Sequence, residues 1–216
     1  DGITELIAAG FSAKESIAAL RGVLALARME NIGVAQAAGL VSDAITQFKL
    51  KATDASFVSD VLAKSAGVVA ATAVDMGEAL KYSGVSAAQM GMSLIQTSAT
   101  LDVLAKAGQR GSEAGTGLAS VLSILSNPAH AATQKLLDLG LASTQLGDVL
   151  AFLQQKGLQA DEVIALFGEQ AGRVIKTLID QGGSKAIADF AQKLGETGKS
   201  AEQTAQIMQG NLIGAM

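Results

Sequence analysis

The stretch AKAGQRGSEAGTGL, residues 105–118, carries four glycines: Gly108, Gly111, Gly115 and Gly117. Bare backbone of this kind can do one of two things. It can cradle a phosphate with main-chain N–H groups, or it can let helices cross closely. The phosphate reading needs G-x-x-x-x-G-K-[S/T] between a strand and a helix. Gly111 and Gly117 are followed by Ser112 and Leu118, so no lysine stands in place, and the preceding LDVLAKAG reads as the end of a helix. A second near-match, GETGKS at 195–200, ends in Gly-Lys-Ser, but Lys193 occupies the position of the first glycine and no strand precedes it. The packing reading fits better. On a helix from 113, Gly115, Leu118, Leu122 and Leu125 share one face and Gly117, Val121 and Ile124 another. Only Glu113, Thr116, Ser120 and Ser123 form a polar strip. A helix apolar on most of its circumference belongs in the middle of its domain.

Other residues that could do chemistry are sparse. His130 is the only histidine, so a Ser-His-Asp triad or a His-rich metal site would have to use it. It reads as a partly exposed residue one turn into a helix that begins at Pro128. The carboxylates Asp75 and Glu78, Asp161 and Glu162, and Asp189 are scattered and read as solvated helix faces. A glycosidase pair can assemble through folding, but one Tyr and six Phe leave little for a sugar platform. Met76, Met90 and Met92 fall at helical spacing and read as core filler. With no cysteine, disulfides, thiolate nucleophiles and Cys-based zinc sites are excluded, which fits a reducing compartment. No catalytic residue, cofactor site or metal site is expected, and the chain does not read as an enzyme.

Composition sets what must position these residues. A chain of 216 residues, 49% apolar, can bury a sizeable core. Only 3% of residues are aromatic, so that core must be built from Ala, Leu, Val and Ile. With 24 Gly and a single Pro, small residues dominate and helices run uninterrupted. Net charge is −4 and no Lys/Arg run occurs, so the cationic track that duplex binding requires is missing, as are the aromatic platforms for single strands. The first residues, DGITELIAAG, have no basic n-region or long apolar stretch, so no signal peptide is read there. Mean hydropathy is high, at +0.36, yet no uncharged apolar run approaches the roughly 18 residues of a membrane span.

Helix punctuation recurs along the whole chain. Ser12-Ala-Lys-Glu15 and Ser86-Ala-Ala-Gln89 read as capping boxes, Asn127-Pro128 as an N-cap followed by Pro at the first helical position, and Gly140 and Gly157 as left-handed helix ends. Alternating strand patterns are absent. The predicted helices span 13–30, 34–48, 55–69, 73–82, 87–107, 113–125, 128–138, 145–156, 161–167, 169–180, 184–194 and 200–209. The fold class that follows is all-α: a compact multi-helix bundle of helical hairpins, about 10–12 short helices, with no sheet. Residues 1–216 read as a single domain. Three windows, at 6–20, 80–94 and 153–167, align without gaps and match at Leu6, Leu80 and Leu153, at Gly10, Gly84 and Gly157, and at Ala13, Ala87 and Ala160. They are either helix-pair repeats starting near 6, 80 and 153 or the shared grammar of any αα-hairpin.

The glycine-rich stretch also carries a family likeness. It resembles the segment L-x-x-A-G-x-x-G-x-x-A-G-T-x-L of the conserved core of phage tail tape measure proteins, matched at Leu104, Ala107, Gly108, Gly111, Ala114, Gly115, Thr116 and Leu118. DVLAKSAG (60–67), GEALKYSGVSAAQ (77–89), Leu166-Phe167-Gly168 and MQGNLIG (208–214) look like the family too, so the likeness spans nearly the whole chain. The resemblance implies a structural module of viral tail assembly. Such proteins occupy the lumen of the growing tail tube, template its polymerisation, help set its length and leave it when DNA is injected. Implied partners are tail tube and tail tip or hub proteins, tail assembly chaperones and further copies of the protein, as a homo-oligomer within the tail. The implied location is the virion tail lumen, after assembly in the host bacterial cytoplasm, with membrane contact during infection. Some relatives bear peptidoglycan hydrolase or peptidase domains elsewhere, whose motifs this chain does not show. The chain reads as a core cut from a longer protein. The alternative, argued from the high hydropathy and abundant Ala and Gly, is a membrane-active helical domain that inserts into or perturbs a bilayer.

Overall fold

The computed structural model describes residues 2–69 and 71–195, and every regular element among them is a helix. Caps set where the helices begin. In the Ser12–Glu15 box, the main-chain N–H of Ser12 donates to Glu15 Oε2 (2.8 Å) and that of Glu15 donates to the Ser12 hydroxyl (3.3 Å). Thr72 and Asp75 repeat the arrangement, at 2.8 and 3.0 Å. Each box satisfies main-chain donors that a helix start leaves orphaned. In chain order the elements are α1 (Gly2–Ala8), α2 (Ala13–Met29), α3 (Val34–Gln47), a 3-10 turn (Ala52–Asp54), α4 (Ala55–Val68), α5 (Ala73–Gln89), α6 (Leu94–Lys106), α7 (Gly111–Ser126), α8 (Ala131–Asp138), α9 (Leu146–Lys156), α10 (Ala160–Phe167), α11 (Glu169–Asp180) and α12 (Gly183–Gly195). The all-helical expectation holds among the described residues. The helix expected at 200–209 and the MQGNLIG match lie outside them.

Three local expectations are corrected. The first concerns Ser86–Gln89, which is not a capping box. α5 runs on to Gln89, because Gly84 lies inside the helix against the end of α3, where a methyl group on it would sit 2.2 Å from Gln47 Oε1. The chain turns instead at Gly91 (φ +77°), and α6 is started by Ser93 and Gln96, whose reciprocal bonds measure 2.9 and 3.2 Å. Consequently Gly10 (φ +94°) and Gly157 (φ +66°) take the left-handed conformation of helix ends, whereas Gly84 does not. The second concerns Pro128, which does not open α8. Asn127 Oδ1 accepts from the Ala129 N–H (3.0 Å) in a tight turn, and His130 is the N-cap, its Nδ1 accepting from the Ala132 N–H (3.2 Å). Thr133 then ties α8 back to α7 by donating to the Ile124 carbonyl (2.8 Å). The third is α1, a helix that the sequence pattern does not predict, which is held by Gly2 and Leu6, both buried.

Neighbouring helices pack as hairpins in places, notably α10 with α11. Extensive contacts also join helices that are not consecutive: α1 with α3, α2 with α4, α5 with α7, and α6 with α12. α6 is the centre. It touches α4, α5, α7, α11 and α12, and every residue from Leu94 to Ala105 except Gln96 is buried. The helix expected in the middle, α7, buries one broad face and leaves Glu113 and Ser123 exposed. α6 hid its position in the sequence behind Thr97, Ser98, Thr100 and Asp102, all fully buried. Two of these hydroxyls turn inward on their own helix. Thr97 donates to the Ser93 carbonyl (2.9 Å) and Thr100 to that of Gln96 (2.8 Å), which lets polar residues sit in a core.

The corrected start of α6 is testable. Ser93→Ala should cost about 1 kcal/mol of stability, while Ser86→Ala should stay within about 0.5 kcal/mol of the parent. Urea unfolding of the two variants checks the order, and the reverse order would restore the start at 87.

Candidate functional site

The glycine cluster lies at the α6–α7 junction. α6 ends when the Gly108 N–H reaches the Ala105 carbonyl and the Gln109 N–H reaches that of Leu104, each at 3.0 Å. Gly108 has φ +95°, the left-handed backbone that such an ending favours. α7 then crosses α5. A methyl group on Gly115 would lie 2.4 Å from the main-chain oxygen of Ala79 and 2.8 Å from its Cα, so the two backbones meet directly. Two residues on, across the helix, a methyl on Gly117 would lie 2.6 Å from Val174 Cγ2 of α11. The first turn of α7 faces acid, since a methyl on Gly111 would lie 2.9 Å from Glu78 Oε2 and 3.9 Å from Asp75 Oδ1. The positive end of the α7 dipole is therefore already faced by carboxylates, a poor setting for a phosphate. Of the other residues matching the family segment, Leu104, Ala114 and Leu118 are buried, Thr116 is half-buried with its hydroxyl on the Ser112 carbonyl (2.7 Å), and Ala107 is exposed.

The remaining sequence candidates fall apart in space and into structural jobs. Asp75 and Glu162 cap α5 and α10. His130 caps α8. Met76 and Met92 are in the core, and Met90 packs half-buried against it. Asp189 is exposed on α12. No group of three or more His, Asp or Glu side chains that could hold a metal ion occurs among the described residues.

Sequence reasoning missed Asp102. It lies on α6 with 0% exposure, and neither carboxylate oxygen completes a hydrogen bond. Burial pushes its pKa from 3.8 up to about 7; the Ser65 hydroxyl on α4 is near enough to act weakly in the opposite direction, although its geometry closes no bond. Ser98, one turn earlier on α6, also has a buried hydroxyl without a partner. The only sequence signal for such a site was an acid four residues after a serine inside an otherwise apolar helix.

The comparisons with known proteins give the class of protein. Residues 1–147 match the family described as phage-related minor tail protein, and the chain belongs to that family. It is similar to the tape measure protein of Pneumococcus phage Dp-1, at 31% identity over 224 aligned residues, covering 98% of this chain and 19% of that protein. It is also similar to the probable tape measure protein of Escherichia phage P2, at 29% identity over 193 residues, covering 82% of this chain and 24% of that one. The chain thus spans about a fifth to a quarter of the length of these relatives. No solved structure matches it.

Two predictions follow from this geometry. Gly115→Ala should destabilise the protein by about 1–3 kcal/mol, because the new methyl meets backbone and cannot be accommodated by a side-chain turn. Gly39→Ala, in a helix interior with open space around it, should be neutral or gain up to about 1 kcal/mol. Thermal melts of both variants check the contrast.

For Asp102 the sign follows from proton counting. Between pH 3.8 and about 7 the folded state holds a proton that the unfolded state has lost. Stability contributed by this group therefore falls as pH rises through that window and is level above it. The total is at most about 4 kcal/mol. Asp102→Asn should flatten the change in stability measured by urea unfolding between pH 4 and pH 8. An unchanged profile would show that the carboxyl is ionised in the folded protein.

Proposed function

We propose that this chain is a structural module of a phage or phage-derived tail, the conserved core of a tape measure protein that templates tail-tube polymerisation and helps set tube length. The observation that carries the reading is the similarity to the Dp-1 tape measure protein across 98% of the chain. Membership of a minor tail protein family supports a non-enzymatic role. In this reading residues 1–216 act as one domain within the tail lumen, after assembly in the host bacterial cytoplasm. Its partners are tail tube and tail tip or hub proteins, tail assembly chaperones and further copies of itself. The segment Leu104, Ala107, Gly108, Gly111, Ala114, Gly115, Thr116 and Leu118 serves it as a packing motif. No helix among the described residues is long and apolar enough to cross a membrane, and the bilayer-inserting alternative is not favoured.

A ruler can act through an extended helix or through a folded body at one end. The second suits this chain. Among the described residues its helices are at most 17 residues long, and their apolar faces are buried against one another rather than along a single axis. Such a body contributes a contact at an end or hub, not length in proportion to residues. Deleting residues 6–79 removes 74 residues, worth about 110 Å as a continuous helix. It also removes α2–α4 and the start of α5, including the Ala79 backbone on which Gly115 rests. Tails built with the full-length protein carrying this deletion should fail to assemble. Intact tails shortened by about 110 Å in electron micrographs would show instead that the region is part of the ruler.

A further inference from the structure

Three cations from three parts of the fold line one surface cleft: Lys106 in the last turn of α6, Arg110 in the loop before α7, and Lys193 in the last turn of α12. The cleft encloses about 530 Å³. None of the three is ion-paired with a described residue, in contrast to Arg173 with Glu169 and Lys176 with Asp180. One carboxylate, Asp189, shares the cleft, leaving a local excess of positive charge on a chain whose net charge is −4. Lys64 of α4 adds another positive charge nearby, its ammonium donating to the Lys193 carbonyl at 3.3 Å. The floor is apolar, formed by Phe190 and Ala105, 9% and 4% exposed. The Lys193 ammonium stands 5.3 Å from the centre of the Phe190 ring, at the border between the apolar floor and the cationic rim.

We propose that this cleft docks a short acidic peptide segment of a partner protein, one that presents carboxylates to Lys106, Arg110 and Lys193 and lays an apolar side chain on Phe190. Charge complementarity selects the sign of the occupant, and the guanidinium fork of Arg110 suits the two oxygens of a carboxylate. The apolar floor selects a peptide over a bare anion, which would leave that surface wet. A nucleic acid needs a cationic track many residues long, and the acidic chain around the cleft would repel it. The inference stands on the cleft alone and does not depend on the tail reading.

The test is fluorescence anisotropy of a labelled peptide alternating glutamate and leucine, titrated with the 216-residue chain at low salt. The wild-type chain should bind it, and the triple variant Lys106→Gln, Arg110→Gln, Lys193→Gln should bind roughly tenfold more weakly with an unchanged melting temperature. Lys14→Gln, on α2 outside the cleft, should bind as the wild type does. A peptide with glutamine in place of glutamate should lose binding, and inorganic phosphate should displace the acidic peptide only weakly. The proposal is overturned if the wild-type chain does not bind the peptide, or if the triple variant or the glutamine peptide binds as tightly. Complete displacement by low millimolar phosphate would also overturn it, by marking a bare anion site.

Discussion

A core with almost no aromatic rings can be filled only if helix backbones come close together. Ala, Val and Leu reach a short way from their own helix, so voids are avoided by shortening the distance between axes rather than by lengthening side chains. The Gly115–Ala79 contact is where that constraint is tightest, with nothing but backbone between α7 and α5. Similar approaches recur where Gly22 of α2 meets the Ala55 carbonyl of α4 and where Gly172 of α11 meets Ile164 of α10. In each case a methyl group would stand 2.6 Å or less from a main-chain atom. Helix propensity lost at each glycine, up to about 1 kcal/mol, is offset by dispersion contacts made along the whole crossing. Five helices, α4, α5, α7, α11 and α12, in turn close around α6.

Encasing α6 has a cost that its sequence makes visible. Hydroxyls at Thr97 and Thr100 satisfy themselves on the helix they belong to, so they can be buried without partners elsewhere. Asp102 and Ser98 have no such escape. A buried carboxyl without hydrogen bonds favours its neutral form, so the centre of the bundle is least stable where the pH is neutral or above. The same α6 then ends in Lys106 at the surface, where it contributes to the cationic cleft. A single helix thus links an unpaired carboxyl of the interior to the cationic cleft at the surface.

The chain belongs to a minor tail protein family and spans about a fifth to a quarter of the length of the tape measure proteins it resembles. A folded unit of short helices is suited to being gripped by partners, because its contacts are distributed over many small faces rather than along one continuous axis. Under the proposed function, that suits a contact at the end of a tube better than a measuring rod. The glycine-rich stretch serves the packing of this body. Its residues hold the α6–α7 turn and the α5–α7 crossing at a fixed geometry, and in doing so present Lys106 and Arg110 outward.

Ser12 and Glu15, Gly108, Gly140 and Gly157 were legible from the amino-acid order because caps and left-handed ends are local: the residues that make them lie within a few positions of one another. The absence of alternation likewise decided an all-helical fold, and the segment from Leu104 to Leu118 pointed to the family. Ser86 misled because a box of the right residue types can also lie inside a helix, and only the packing of α3 against Gly84 carried α5 past it. Asn127-Pro128 misled because the Asn127 side chain had a nearer use in its own turn, leaving the cap to His130. The centrality of α6, the burial of Asp102 and the meeting of Lys106 and Arg110 with Lys193 were decided by tertiary structure alone. Each depends on which helices close around which, and that is a matter of contacts between residues far apart in the chain, where no local pattern reaches.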